Sequence, residues 1–261
     1  MTNSSVDMEE LIQERHTTLH TQDVCGRMLT VKETAEHRWF EYGGQSVQSI
    51  MNKAKPEQLV TPVSQALLIF LLFDGQPRKI LNLGLGGASL ERALANVPGC
   101  VVTSVEKYQP VIDIARRFFK LPQQAHVVCQ SAEQFVQTAD AKYEAVLCDL
   151  FFDEKLPGFL ATEEFFFQLY KITSDKAVVM LNTQVETEEE LLSILIAVRK
   201  HFPYIALIEF ERYKNVVMIC SSHKIPSRAL LRKGIANYTQ VAFSCLERAI
   251  AAVHYIPHGK S

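Results

Sequence analysis

Past residue 60, short apolar runs alternate with stretches of helical periodicity, and this alternation constrains the fold more than any other feature of the chain. The runs are Lys79–Leu83, Val101–Glu106, His126–Cys129, Ala145–Asp149, Ala177–Leu181, Ile205–Phe210 and Val216–Cys220. They are β-rich and almost continuously hydrophobic, as strands covered on both faces of a sheet must be. Helical patterns fall between them, over Thr61–Leu72, Ser89–Ala95, Gln109–Phe119, Ala132–Gln137, Thr162–Ile172 and Glu188–His201. Ser227–Val253 reads as one or two further amphipathic helices. Strand–helix alternation predicts a doubly wound, mostly parallel α/β sheet. The last two runs lie too close for a parallel crossover, so they form an antiparallel hairpin that completes a seven-stranded sheet. Upstream, Arg27–Lys32, Arg38–Tyr42 and Val47–Met51, with the hairpin signal Gly43-Gly44, predict a small β-rich domain. The expected division is residues 1–60 and 61–261.

A chain of 261 residues, 48% of them hydrophobic, buries a large core without staples. Its formal charge of −2, from 27 basic and 29 acidic side chains, argues against a broad footprint for nucleic acid or anionic membrane. A small-molecule ligand is the default. Six cysteines, Cys25, Cys100, Cys129, Cys148, Cys220 and Cys245, form no CxxC pair and read as reduced, mostly buried thiols. The eight histidines show no HExxH pattern and no acid or cysteine at ligand spacing, so no metal is expected. The opening MTNSSVDMEELIQERH lacks the apolar core of a signal peptide. The apolar run Ala66–Phe73 is far too short to cross a bilayer, so a cytoplasmic protein is expected.

The chemistry concentrates in Lys79-Ile-Leu-Asn-Leu-Gly-Leu-Gly-Gly-Ala-Ser-Leu-Glu-Arg92, a strand that enters glycines and then a helix. Glycines allow a sharp turn and close approach of a ligand to the backbone, although a tight turn with no ligand has the same pattern. Glu106 ends the next strand, about twenty residues on, where a carboxylate accepts hydrogen bonds from the two hydroxyls of a ribose; a solvated charge is the alternative. Ligands of open α/β sheets sit outside the carboxyl ends of the strands. Gly84, Gly86, Glu106, Ser131 and Asp149 are therefore expected to line one cleft, with Asp149 alternatively capping the next helix. The stripe Phe165–Tyr170 has helical spacing and reads as core, and Glu186–Glu190 as a solvated first helical turn.

Several segments carry a family resemblance: Tyr42-Gly43-Gly44 with Val47-Gln48-Ser49; Gly84-Leu85-Gly86-Gly87; Val105-Glu106-Lys107 with Val111-Ile112 and Ala115-Arg-Arg-Phe-Phe119; and Asp149 followed by Thr162-Glu-Glu-Phe165. Between Arg38 and Ser221 the chain resembles the spermidine synthase-like branch of the polyamine aminopropyltransferases. That family has the class I methyltransferase fold, whose sheet also ends in an antiparallel strand, and a small N-terminal β-domain. The resemblance implies S-adenosylmethionine or its decarboxylated form as co-substrate, an amine or polyamine acceptor, and a homodimer. It implies a nucleoside site at Gln48, Gly84, Leu85, Gly86, Gly87, Glu106, Lys107, Ser131, Ala132, Asp149 and Leu150. Glu106 matches the ribose-binding acid. Asp149 matches the catalytic acid that helps take a proton from the attacking amine.

Departures from the family pattern fall on amine recognition. The aspartate that holds the aminopropyl amine is Gly87 here, and the adenine-recognising acid is Ser131. The Tyr-His or Tyr-Gln pair before the first helix is absent from Thr61-Pro-Val-Ser-Gln65. The second acid after strand four falls at Phe152, with Asp153 one residue later. Leu150-Phe-Phe-Asp-Glu-Lys-Leu-Pro-Gly158 would form a lid, its aromatics either over the adenine or packed beneath the loop. Three readings stay open: aminopropyl transfer, methyl transfer from S-adenosylmethionine, and a silent nucleoside-binding protein.

Overall fold

The computed structural model describes residues 11, 13–43, 46–73, 79–150, 157–238 and 246–257. The first four strands, β1 (Thr17–Val24), β2 (Arg27–Glu33), β3 (His37–Tyr42) and β4 (Ser46–Asn52), form an antiparallel sheet in chain order. Period-two alternation gives this sheet two apolar faces. Val24, Leu29, Val31, Phe40 and Met51 pack on helix α3 (Gln109–Phe118) through Val111, Ile114 and the following Phe119, while Trp39 and Ile50 pack with Leu11. A bulge interrupts β3–β4, where Phe40 pairs Ser49 and Glu41 pairs Val47, leaving Gln48 as the extra residue. Such bulges re-aim side chains near sites.

The second sheet contains β5 (Lys79–Leu83), β6 (Val101–Glu106), β7 (His126–Cys129), β8 (Tyr143–Cys148), β9 (Thr173–Gln184), β10 (Tyr204–Phe210), β11 (Tyr213–Ser221) and β12 (Val253–Ile256), in the order β12-β10-β11-β9-β8-β5-β6-β7. Strands β9, β8, β5, β6 and β7 are parallel; β11 joins β9 antiparallel, and β10 and β12 follow antiparallel. Successive residues bury on opposite faces. Ile80, Ala145, Val178 and Ile219 meet helices α1 (Pro62–Leu67), α2 (Ser89–Leu94), α7 (Arg228–Ile235) and α8 (Leu246–Ala251). Leu81, Val146, Val179 and Met218 meet α4 (Ala132–Thr138), α5 (Glu163–Lys171) and α6 (Glu188–Arg199). Both faces are covered, which explains the unbroken hydrophobicity of the central strands.

The mostly parallel α/β sheet and the antiparallel N-terminal sheet agree with the sequence reading, with two additions. The larger sheet has eight strands instead of seven, because Val253–Ile256 pairs with β10 where the sequence gives only the end of a helical pattern. Thr17–Val24 adds a fourth strand to the small sheet. The helix expected over Thr61–Leu72 is α1 followed by a 3₁₀ turn, Leu68–Leu72. The Phe165–Tyr170 stripe is core at Phe165, Phe166 and Leu169, and Thr187 caps α6 ahead of its acidic first turn. Of the cysteines, Cys148 and Cys220 are buried, but Cys25 and Cys129 are exposed. Cys129 ends the edge strand β7, where one side has no neighbour to cover it.

Candidate active site

The strand order reverses at β5: β6 and β7 lie on one side, β8 and β9 on the other. A crevice therefore opens beyond the carboxyl ends of β5 and β8, where connections diverge and leave space for a ligand. Gly84 follows β5 with φ of +99°, and a Cβ there would overlap the Asp149 carbonyl oxygen and stand 3.0 Å from the carbonyl carbon. Only glycine lets the two strand ends lie this close. Two backbone bonds fix the approach, Asp149 N to Leu83 O and Gly84 N to Val105 O, both 2.9 Å. Gly86 has φ of +50° in open space, so it is the backbone that asks for glycine there. Ala88, with φ of +57°, holds a left-handed conformation that costs about 1–2 kcal/mol without glycine.

Glu106 closes over this turn. Its Oε2 accepts from Leu85 N at 3.3 Å and its Oε1 from Tyr108 N at 3.0 Å. Burial pushes the carboxyl above its ordinary range, opposed by the amides of Tyr108, Leu85, Gly86 and Lys107. A carboxylate offers about four acceptor positions, so these bonds leave capacity for ligand hydroxyls. Tyr42 of β3 approaches the same carboxylate: burial, and then the charge of Glu106, pushes its hydroxyl up.

Asp149 stands at the end of β8, half-buried, and burial raises its carboxyl above the usual range. The opposing influence is one hydrogen bond, Asn182 Nδ2 donating to Oδ1 at 2.7 Å. Asn182 in turn accepts from Asn215 Nδ2 at 3.0 Å. The Asp149 side chain is thus held by β9.

The remaining candidates divide by what they touch. Gly87 has no room for a side chain, since a Cβ would overlap Ser49 Oγ and lie 2.9 Å from Ser49 Cβ and 3.1 Å from Phe119 Cδ1. Leu85 turns its side chain into a core with Ala88, Ile112 and Ala115, so only its backbone faces Glu106. Ser131 caps α4, its Oγ accepting from Gln134 N at 3.2 Å, and Ala132 is buried behind it. Lys107 is exposed, its ammonium 5.2 Å from the centre of the Tyr108 ring. Leu150 packs partly into the core beneath the crevice. Gln48 is the bulge residue of β4. Phe151, Phe152 and Asp153 lie outside the described residues, as do Gly44 and Cys245.

Sequence reasoning missed the supports around these residues. Arg92, 5% exposed, donates to the carbonyls of Pro56 (2.6 Å), Phe119 (2.6 Å) and Gly87, joining the glycine turn to α3 and to the segment after β4. Glu91 is buried against β5 and β6, accepting from Asn82 Nδ2 (2.6 Å) and Ser104 Oγ (2.5 Å). An Arg or Glu on a short helix carries no sequence signal of such a role. Among the described residues no cluster of three His, Cys, Asp or Glu side chains is placed to hold a metal ion. One HxxxH pair does occur, His16 and His20, but the rings separate, His16 packing on Trp39 and His20 on Phe118.

A mostly parallel sheet ending in antiparallel strands, with a glycine turn and an acid ending the next strand, defines a class I methyltransferase-like fold carrying a small antiparallel sheet. Within that fold the chain is similar in sequence to polyamine aminopropyltransferases and in structure to spermidine synthases. It is 31% identical over 156 residues to the polyamine aminopropyltransferase of Chromobacterium violaceum, covering 58% of this chain and 60% of that protein. The chain spans from just over half to three fifths of the length of the curated relatives it matches. No family model matches it. The fold is similar to that of a probable spermidine synthase from Corynebacterium glutamicum, with a TM-score of 0.75 over 92% of this chain and 90% of that one at 14% identity. A spermidine synthase in complex with the transition-state analogue AdoDATO gives 0.70 over 92% and 85% at 17% identity.

Proposed function

We propose that the crevice binds an S-adenosyl nucleoside through Glu106 and the glycine turn, and transfers an aminopropyl group from decarboxylated S-adenosylmethionine to an amine. The observation behind this reading is that Gly84 lets β5 and β8 end in close approach, with Glu106 and Asp149, two carboxyls of raised proton affinity, at neighbouring strand ends. The curated relatives named polyamine aminopropyltransferase support it.

In this mechanism the acceptor enters as an ammonium ion, attracted by acidic groups, and surrenders a proton to Asp149. A protonated amine has no lone pair, so this transfer precedes or accompanies attack. The freed nitrogen attacks the propyl carbon bound to the sulfonium sulfur. A C–N bond forms, the C–S bond breaks, and its electron pair returns to sulfur, which leaves as neutral methylthioadenosine. A base with raised proton affinity suits this work, because its proton affinity lies nearer that of the amine. With Gly87 in place of an acid, the donor's own amine is held less firmly than in the family pattern, and weak selection between decarboxylated and intact donor follows. The resemblance extends this reading to a homodimer.

Two substitutions test it. Asp149→Asn is expected to lower kcat by roughly 10²–10⁴ while nucleoside affinity stays close to that of the parent. Glu106→Gln is expected to weaken the nucleoside instead. Unchanged turnover in the first, or unaltered adenosine binding in the second, removes the role assigned to that residue.

A further inference from the structure

Asp149, Asn182 and Asn215 lie on adjacent strands in the order β8-β9-β11. Cys148 pairs with Leu181, which sets Asp149 beside Asn182; Asn182 pairs with Val217, which sets Asn215 two residues along on the same face. Diagonal neighbours of this kind reach each other across an antiparallel pair. Asn182 is 3% exposed, buried among apolar strands where a misdirected amide has no water to turn to.

The chemistry of the three side chains leaves one arrangement. An ionised Asp149 only accepts, so Asn182 must present its NH₂ to Oδ1, and its own carbonyl then faces away. Asn215 meets that carbonyl with a donor. Without Asn215, the buried Asn182 carbonyl loses its donor and Asp149 alone is left to orient the amide, whose flipped state sets carbonyl against carboxylate.

We propose that Asn215 is a positioning residue for the site: through Asn182 it fixes the orientation of the amide that holds Asp149 and keeps a hydrogen-bond donor on that carboxylate. The inference rests on the aminopropyl-transfer reading for its purpose but not for its geometry. Asn215 acts through Asn182: it donates to the Asn182 carbonyl, and the Asn182 amide in turn donates to Asp149. The described titratable group that also senses Asp149 is the Cys148 thiol, which burial keeps uncharged.

The test reads the Asp149 carboxyl directly. Protein labelled with ¹³C at aspartate Cγ is titrated by NMR, with the Asp149 resonance identified by its loss in Asp149→Asn. Asn182→Leu removes the bond outright and is expected to raise the proton affinity of Asp149 about tenfold, the usual worth of a hydrogen bond to a charged group. Asn215→Leu, which leaves Asn182 in place, is expected to move the midpoint in the same direction by a smaller amount, and the pH profile of kcat with it. Asn215→Ala serves as the second variant should the leucine disturb packing. A midpoint in folded Asn215→Leu and Asn215→Ala that coincides with the parent's overturns the proposal, because a space-filling asparagine predicts that result. The titration needs no turnover. A parent protein that transfers no aminopropyl group therefore refutes the functional reading alone, while the midpoints still decide the role of Asn215.

Discussion

Replacing Gly84 by alanine tests the statement that the crevice exists because β5 and β8 end in contact. Two costs combine. The backbone at φ of +99° lies where L-residues are strained by about 1–2 kcal/mol. The new methyl also overlaps the Asp149 carbonyl oxygen, with the carbonyl carbon at 3.0 Å, and both atoms are backbone, held by the Asp149 N to Leu83 O bond. Forcing extra volume into a closed contact costs about 1–3 kcal/mol. The sum, about 2–5 kcal/mol, corresponds to roughly 4–20 °C in melting temperature at about 2–4 °C per kcal/mol. Gly86→Ala is the internal control. It meets nothing within 4 Å and carries only the backbone cost, about 1 kcal/mol and a few degrees. Thermal melts followed by circular dichroism, with calorimetric titration of an adenosine ligand, measure both variants. Equal losses in the two would show that β8 yields freely and that the close approach does not shape the crevice.

Other expectations concern the supports and the charges. Glu106→Gln should weaken adenosine ligands by roughly 10–100-fold, the worth of bonds to a charged acceptor, as read by calorimetry. Arg92→Leu leaves the carbonyls of Pro56, Gly87 and Phe119 without their donor and should cost at least about 3 kcal/mol in denaturant unfolding, with Arg92→Lys recovering part of it. Glu91 carries a folded-state proton affinity raised by burial above the ordinary 4.5, so its contribution to stability is fully present below about that pH and is lost as pH rises through the folded value. The stability difference between Glu91→Gln and the parent should therefore shift in favour of the variant across that window; a pH-independent difference would mean that Glu91 keeps its proton affinity on folding.

Much of the architecture can be read from periodicity because both faces of the central strands are buried. Lys79–Leu83, Val101–Glu106 and His126–Cys129 coincide with β5, β6 and β7 to the residue. The strands that escaped are those on edges. Thr17–Val24 is largely exposed and rich in threonine, with Val24 its one buried side chain, and Val253–Ile256 has four residues that become a strand only by pairing with β10. The acids at Glu106 and Asp149 could be found because they end strands, and the topology brings strand ends together. Asn182 and Asn215 could not. Each is a single polar residue in an apolar or mixed run, and their link to Asp149 depends on the registers of three strands at once. The reason for glycine at position 87 was equally hidden, since Ser49 and Phe119 fill its side-chain space from distant segments.

The central claim, aminopropyl transfer in this crevice, is tested most directly by mass spectrometry of the nucleoside formed when the purified protein is incubated with a set of amines and either decarboxylated or intact S-adenosylmethionine. Methylthioadenosine, formed with the decarboxylated donor in step with an aminopropylated amine and lost in Asp149→Asn, is the predicted result. S-adenosylhomocysteine from the intact donor, or no nucleoside product from a protein that binds both donors, would contradict it.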